Sequence, residues 1–301
     1  MSLKILVVGA GATGGYFGGR LAQAAQSGRT DVEVTFLVRP VRAEILKKNG
    51  LRIESPQNNF TLPVHTVQHT ELKWEYDLVL LACKAYDLEA AILSVYPAIG
   101  PDTLILPMLN GLAHFDRLDA EFGVRRVLGG CCHLNGTLTS EGVIKLLSDL
   151  QGITFGTRAG NTAHARTVLE QLQAAFEQTP IRVQHSETVL QAIWEKYAFL
   201  TAFAAMTCLM RAAVGDIMAA DDGETLMLRL LAECETAAQL GVRVIVFGSS
   251  GAGGATMTFT NSAGANYNSS ATKSVPVSFS NAGDLTITAG TLTLSGNNTY
   301  S

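Results

Sequence analysis

The sequence has no C-x-x-C spacing, no marked excess of one charge and no apolar run long enough to cross a membrane. Each absence removes a class of protein. The five cysteines (83, 131, 132, 208 and 234) are an odd number, and the adjacent Cys131-Cys132 pair suits neither a disulfide nor a zinc site. All five read as reduced thiols of a reducing compartment, which makes a cytoplasmic location and no metal the expectation. The net charge of −4 gives no reason to expect nucleic acid or an anionic membrane as partner. Lys4 followed by an apolar run resembles a signal peptide superficially, but the run is short and breaks into glycines, so a buried strand is the better reading. The apolar run from Tyr197 to Met210 falls short of the ~20 residues of a membrane span and reads as a core helix. Charge is also missing from the last part of the chain, where Lys273 and Asp284 are the only charged residues from 248 to 301.

What is present begins at the N-terminus. Leu3-Lys4-Ile5-Leu6-Val7-Val8 runs directly into Gly9-Ala10-Gly11-Ala12-Thr13-Gly14, and a helix-forming segment follows. Strand, G-x-G-x-x-G turn and helix start make a dinucleotide-binding unit. Gly9 permits the tight turn, Gly11 lets a pyrophosphate approach the backbone, and Gly14 lets the helix lie close to the strand. The N–H groups at the helix start, over Ala12 and Thr13, and the helix dipole favour the phosphate charge. The motif alone is weak, since glycine-rich turns are common; its position right after a strand and before a second one gives it weight.

With 301 residues, of which 47% are hydrophobic, the chain is long enough for one large domain or two ordinary ones. Residues 1–160 alternate short apolar runs with helical patterns. Strands are expected at 32–38, 50–55, 60–64, 77–82 and 103–106, with a short helix at 42–48. Further strands at 127–134, 142–147 and 152–155 are expected to close the sheet edge. The continuous rather than alternating apolar run at 77–82 is that of a buried parallel strand. The fold class expected is therefore α/β, a Rossmann-type doubly wound parallel sheet. Residues 161–243 read as a second, helical domain, with helices at 163–177, from 187 onward behind a Ser186 cap, and at 223–240. Residues 244–301 form a Gly/Ser/Thr/Asn-rich tail. Its end, 284–300, alternates polar and apolar residues, a β-hairpin or β-solenoid pattern, while its composition equally permits disorder. This tail resembles the strand repeats of bacterial autotransporter passenger domains and reads as a foreign segment on this chain.

Several residues are candidates for chemistry. After the second strand come Val38-Arg39-Pro40, with no acid to hold a ribose 2′-hydroxyl, so Arg39 pairing with a 2′-phosphate points to NADP(H) rather than NAD; the plainer alternative is a solvated arginine. Lys84 lies just past the strand ending at Ala82, where such strands line the cofactor crevice; otherwise it is an exposed strand-end lysine. Asn110 falls at the next strand end, before a glycine that permits an unusual backbone angle, or else it is a turn residue satisfying its own backbone. Lys196 sits on a largely apolar helix. A lysine held there loses solvation and is suited to giving a proton to the oxygen formed when hydride reaches a carbonyl. Spacing alone favours the other reading, a lysine whose stem lies on the core and whose head reaches water.

G-A-G-A-T-G-G-Y-F-G at 9–18, C-K-A-Y-D at 83–87, L-N-G at 109–111 and W-E-K at 194–196 occur in one order. Together they resemble the ketopantoate reductase (2-dehydropantoate 2-reductase) family over residues 1–243. The resemblance implies a Rossmann-type domain binding NADPH, a helical domain closing over it, and reduction of the 2-oxo acid 2-dehydropantoate to pantoate in pantothenate biosynthesis. It implies Lys196 as general acid, Asn110 near nicotinamide and substrate, Lys84 in the cofactor crevice, Arg39 at the 2′-phosphate, and Gly9, Gly11 and Gly14 at the phosphate turn.

Two departures bear on activity. The family often carries substrate-contacting asparagines one and two turns after the lysine; here Leu200 and Ala204 stand there, which leaves the identity of the 2-oxo acid open. The serine-rich turn and G-R-x-T-E segment expected after Gly241 are absent, so the helical domain reads as truncated and turnover as impaired. Helices at 187 and 223 are then expected to expose apolar faces prone to association, which allows a homodimer through the helical domain. Two other functions fit the same residues. One is a non-catalytic chimaeric chain with a β-solenoid-like assembly tail; the other is a different NAD(P)-dependent β-hydroxyacid dehydrogenase.

Overall fold

The computed structural model describes residues 2–56 and 58–239, together with the backbone of four short strands beyond them. The chain divides into two compact units, Met1–Ile193 and Trp194–Ser301.

The first unit runs β1 (Leu3–Val8), α1 (Ala12–Gln26), β2 (Val32–Leu37), α2 (Pro40–Asn49), β3 (Leu51–Glu54), β4 (Phe60–Leu62), β5 (His65–Val67) and β6 (Leu78–Leu81). It continues with α3 (Leu88–Val95), β7 (Leu104–Pro107), α4 (Ala113–Phe122), β8 (Gly129–Leu138), β9 (Val143–Gly156), α5 (Ala163–Glu177) and β10 (Arg182–His185). Five strands form a parallel sheet in the order β5-β2-β1-β6-β7. Both faces of β1 and β6 are covered, which is why they are nearly unbroken runs of Leu, Ile and Val. This is the Rossmann-type parallel sheet expected from the sequence.

The later strands do something else. Rather than closing the edge of that sheet, they build a second one, in the order β10-β9-β3-β4 with β8 on the other side of β9. Among the described residues, only Val127, through a single bridge to Ile105, extends the parallel sheet. The segments 142–147 and 152–155, read as two strands, are one long strand, β9, because pairing with β8 continues along it past a register shift between Leu134 and Gly136.

Helix α1 is sandwiched between the two sheets, and its paired glycines explain how. A Cβ at Gly18 would press on Val7 and Phe36 of the parallel sheet, and one at Gly19 on Leu51 and Ile53 of the second sheet. Glycine inside a helix costs about 1 kcal/mol relative to alanine; here it admits two sheets to one helix. Tyr16, Phe17 and Leu21 fill the space between, with Phe36, Phe155 and Phe176 in the same core. Helix α5 adds Val168, Leu169, Leu172 and Phe176 to that core, so α5 and β10 pack with the first unit.

Helix α6 (Val189–Met210) begins in the first unit and runs into the second, which holds α7 (Val214–Ala219) and α8 (Gly223–Gln239). Ser186 lies ahead of α6 rather than at its cap: its Oγ accepts from the N–H of Thr188 at 3.1 Å, and the carbonyl of Thr188 accepts the first helical bond. Ala198, Ala202, Met206, Ile217, Leu230 and Cys234 form a small helical core within the second unit. The described backbone beyond it is β11 (Val242–Phe247), β12 (Thr256–Asn261), β13 (Ser274–Val275) and β14 (Thr291–Thr293), paired in the order β11-β12-β14-β13. Of the strand pattern read over 284–300, β14 is the described part; the remainder lies outside the described residues. Among the described residues no helix is long and apolar enough to cross a membrane, and no cluster of His, Cys, Asp and Glu is arranged to hold a metal.

Candidate cofactor and active site

The C-terminal edge of the parallel sheet carries the first group of candidates. β1 ends at Val8, and Gly9 turns the chain with φ +91°, a conformation few side chains tolerate. Its N–H donates to the carbonyl of Leu37 at 3.0 Å, which pins the turn to the end of β2. Helix α1 starts at Ala12 behind an N-cap glycine, Gly11, so no side chain caps its first-turn N–H groups. Gly14 sits where a Cβ would collide with the Gly9 carbonyl and lie 2.9 Å from the Ala82 Cβ. At Gly11, by contrast, a Cβ would meet nothing within 4 Å. Packing thus requires glycine at 14, whereas the open face at 11 leaves the turn accessible.

Two arginines follow β2. Arg42, half-buried, donates through Nε to the Ala10 carbonyl at 3.1 Å and through Nη1 to the Gly142 carbonyl at 2.9 Å. Its Nη2 is buried without a hydrogen bond, and burial lowers the pKa of the guanidinium. Arg39 is exposed, and its Nη2 donates to Oδ1 of Asp87 at 2.9 Å. Asp87 belongs to the segment after β6 that also holds Cys83 and Lys84. Burial pushes the Cys83 thiol up to about 11, and the Asp87 carboxylate adds to the rise. Lys84 is exposed at this strand end. Asn110 is exposed after β7, followed by Gly111 at φ +77°.

The structure therefore gathers the glycine turn, Arg39, Lys84 and Asn110 at one edge of one sheet, after β1, β2, β6 and β7. Lys196 belongs to the second unit. It is half-buried on α6, and Leu200 and Ala204 follow it along the same stripe of the helix, also half-buried. Sequence reasoning assigned no role to Arg42 or Asp87. The signal for Asp87 was its place in the quoted C-K-A-Y-D segment at a crevice strand end; for Arg42 there was none, because its partners Ala10 and Gly142 are distant in sequence.

This arrangement has known counterparts. Residues 5–160 match the sequence profile described as "Ketopantoate reductase PanE/ApbA", and residues 188–272 match its C-terminal counterpart. The chain belongs to the ketopantoate reductase PanE/ApbA family. It is thus a member of a family of NAD(P)-dependent oxidoreductases. The match to the family extends past residue 243, where the resemblance read from the sequence stops, and the likeness of the tail to autotransporter repeats gains no support. "Uncharacterized oxidoreductase YkpB" of Bacillus subtilis is 37% identical over 231 residues, 77% of this chain and 73% of the relative. The crystal structure of 2-dehydropantoate 2-reductase from Porphyromonas gingivalis superposes with a TM-score of 0.69 at 27% identity, covering 80% of this chain and 83% of that one. The ternary structure of D-mandelate dehydrogenase with NADH and anilino(oxo)acetate, at 18% identity and a TM-score of 0.64 over 78% of this chain and 80% of that one, shares the fold.

Proposed function

We propose that this chain binds NADPH and reduces a 2-oxo acid to the 2-hydroxy acid, with 2-dehydropantoate as substrate, in the cytoplasm. One observation carries the reading. A G-x-G-x-x-G turn with an open face at Gly11 and uncapped helix N–H groups stands beside an exposed arginine at the end of β2, where an acid would mark an NAD site. The residues fit the dinucleotide. Gly9 to Gly14, with the N–H groups of Ala12 and Thr13, would hold the pyrophosphate, Arg39 would hold the 2′-phosphate, and Lys84 and Asn110 would serve the nicotinamide half. When bound, NADPH supplies a hydride to the keto carbon.

The chain's own residues do the remaining work. Lys196 gives a proton from Nζ to the oxygen of the keto group as that carbon is reduced, so C=O becomes CH–OH and the neutral amine then regains a proton from water. Asn110 hydrogen-bonds and orients the substrate. Residues 1–160 serve as the cofactor part; of the segment 161–243, the residues from Trp194 onward serve as the substrate part, since α5 and β10 pack with the first unit. Titration of the full chain with NADPH tests the first half, and failure to bind at millimolar cofactor defeats it. Turnover with 2-dehydropantoate, set against Lys196→Met, tests the second half.

A second reading of the substrate rests on α6. Leu200 and Ala204 offer no hydrogen bond one and two turns after Lys196, which favours a 2-oxo acid with an apolar side chain over one carrying a hydroxyl. A panel of 2-oxo acids, compared by kcat/KM, separates the two.

A further inference from the structure

The ion pair between Arg39 and Asp87 occupies an unusual position. Arg39 follows β2 and Asp87 follows β6, and these strands flank β1 on its two sides. Neighbouring strands lie about 4.8 Å apart, so the two strand ends are about 10 Å apart with the end of β1 between them. The 2.9 Å contact therefore bridges the crevice mouth beside the glycine turn. Asp87 also occupies the N-cap position of α3 yet makes no capping hydrogen bond. Aspartate is among the best capping residues; here its carboxylate is turned to the guanidinium instead. The Arg39 side chain is 78% exposed and that of Asp87 35% exposed, so the pair is open to an incoming ligand.

We propose that Asp87 sets the cofactor preference of this protein by competing with the 2′-phosphate for Arg39. The proposal rests on the reading of Arg39 as the phosphate reader. A 2′-phosphate docking on Arg39 must displace the Asp87 carboxylate or share the guanidinium with it, and either way two like charges meet. NADH brings no phosphate to this point and meets no such opposition. Asp87 thus narrows the advantage of NADPH over NADH that Arg39 alone would confer, and the chain accepts both cofactors. The effect is electrostatic and near the surface, so it weakens with salt.

The test is equilibrium titration of the full chain with NADPH and with NADH, at low and high salt, for the wild type, Asp87→Asn and Arg39→Ala. The expected result is that Asp87→Asn tightens NADPH about threefold to fivefold at low salt, the scale of an exposed ion pair, and leaves NADH within about twofold. Unchanged or weaker NADPH binding in Asp87→Asn, with Arg39→Ala still losing NADPH selectively, overturns the proposal and leaves the phosphate reading intact. If Arg39→Ala affects NADPH and NADH equally, the phosphate reading itself fails. Asp87→Ala, which removes the carboxylate from a side chain that makes no capping hydrogen bond, serves if the asparagine variant unfolds.

Discussion

Arg42 holds the glycine turn from outside: its Nε donates to the Ala10 carbonyl at 3.1 Å while its Nη1 donates to the carbonyl of Gly142, just ahead of β9, at 2.9 Å. One side chain thus ties the glycine turn of the parallel sheet to the second sheet. Hydrogen bonds from a charged donor are worth about 1.5–3 kcal/mol when a partner is lost. Arg42→Met, which keeps the stem, is expected to weaken NADPH binding about tenfold and to lower the melting temperature by several degrees. Arg42→Lys is expected to rescue little, because an ammonium cannot reach two carbonyls in different directions as the planar fork does. Fluorescence titration and thermal melting of the three proteins check this.

Gly11 and Gly14 separate binding from folding. A side chain at 14 strikes backbone and the Ala82 Cβ, so Gly14→Ala is expected to cost about 1–3 kcal/mol of stability. A side chain at 11 meets open space, so Gly11→Ala is expected to melt like the wild type while losing at least about tenfold in NADPH affinity. Equal affinity in Gly11→Ala and the wild type would mean that no pyrophosphate approaches this turn.

Arg20 is buried, at 2% exposure, yet its hydrogen bonds all go to neutral oxygens: Tyr16 Oη at 3.2 Å, Gln23 Oε1 at 3.1 Å and Ser55 Oγ at 3.1 Å. Its guanidinium also lies 4.6 Å from the centre of the Phe60 ring. Tyr16 in turn donates to Gln151 of β9, and burial raises the pKa of its phenol. Truncating this side chain empties the centre of the network, so Arg20→Ala is expected to lose about 3 kcal/mol in denaturant unfolding. Arg20→Met, of similar length and without charge, is expected to lose distinctly less, since no acidic partner is stranded.

Alkaline pH reports on two thiols, half-buried Cys83 and buried Cys234. Burial pushes Cys83 up to about 11 and Cys234 likewise, so each thiol resists ionisation in the folded chain more than in the unfolded one. A raised folded pKa gives stability that is complete below the unfolded value, near 9, and is lost as pH climbs through the folded value. Stability is therefore expected to fall between about pH 9 and pH 11, and Cys83→Ser to shrink that slope. At neutral pH the exposed Cys208 is expected to alkylate well before Cys83.

The parallel sheet was legible because its strands announce themselves locally: β1, β6 and β7 are short, mostly buried apolar runs and β2 is a β-branched and aromatic run, each read within about two residues of its observed ends. The second sheet was not. Whether β8 and β9 extend one sheet or found another depends on pairing with β3 and β10, which are far away in sequence, and no local pattern encodes that choice. Strands β5 and β10 escaped notice because His65–Val67 and Arg182–His185 are short, mostly polar edge segments with no fully buried residue. The same division holds at the site. Gly9 and Gly111 declared themselves through positive φ and Gly14 through the close approach of helix and strand, whereas the partnerships of Arg42 with Ala10 and Arg39 with Asp87 span 32 and 48 positions.

The most direct test is a paired titration of the full chain and its Arg39→Ala variant with NADPH, followed over the quenching of protein fluorescence. Saturable binding by the wild type, weakened at least about tenfold in the variant with NADH affinity preserved, is the result this account expects. No saturable binding by the wild type at millimolar NADPH would contradict it.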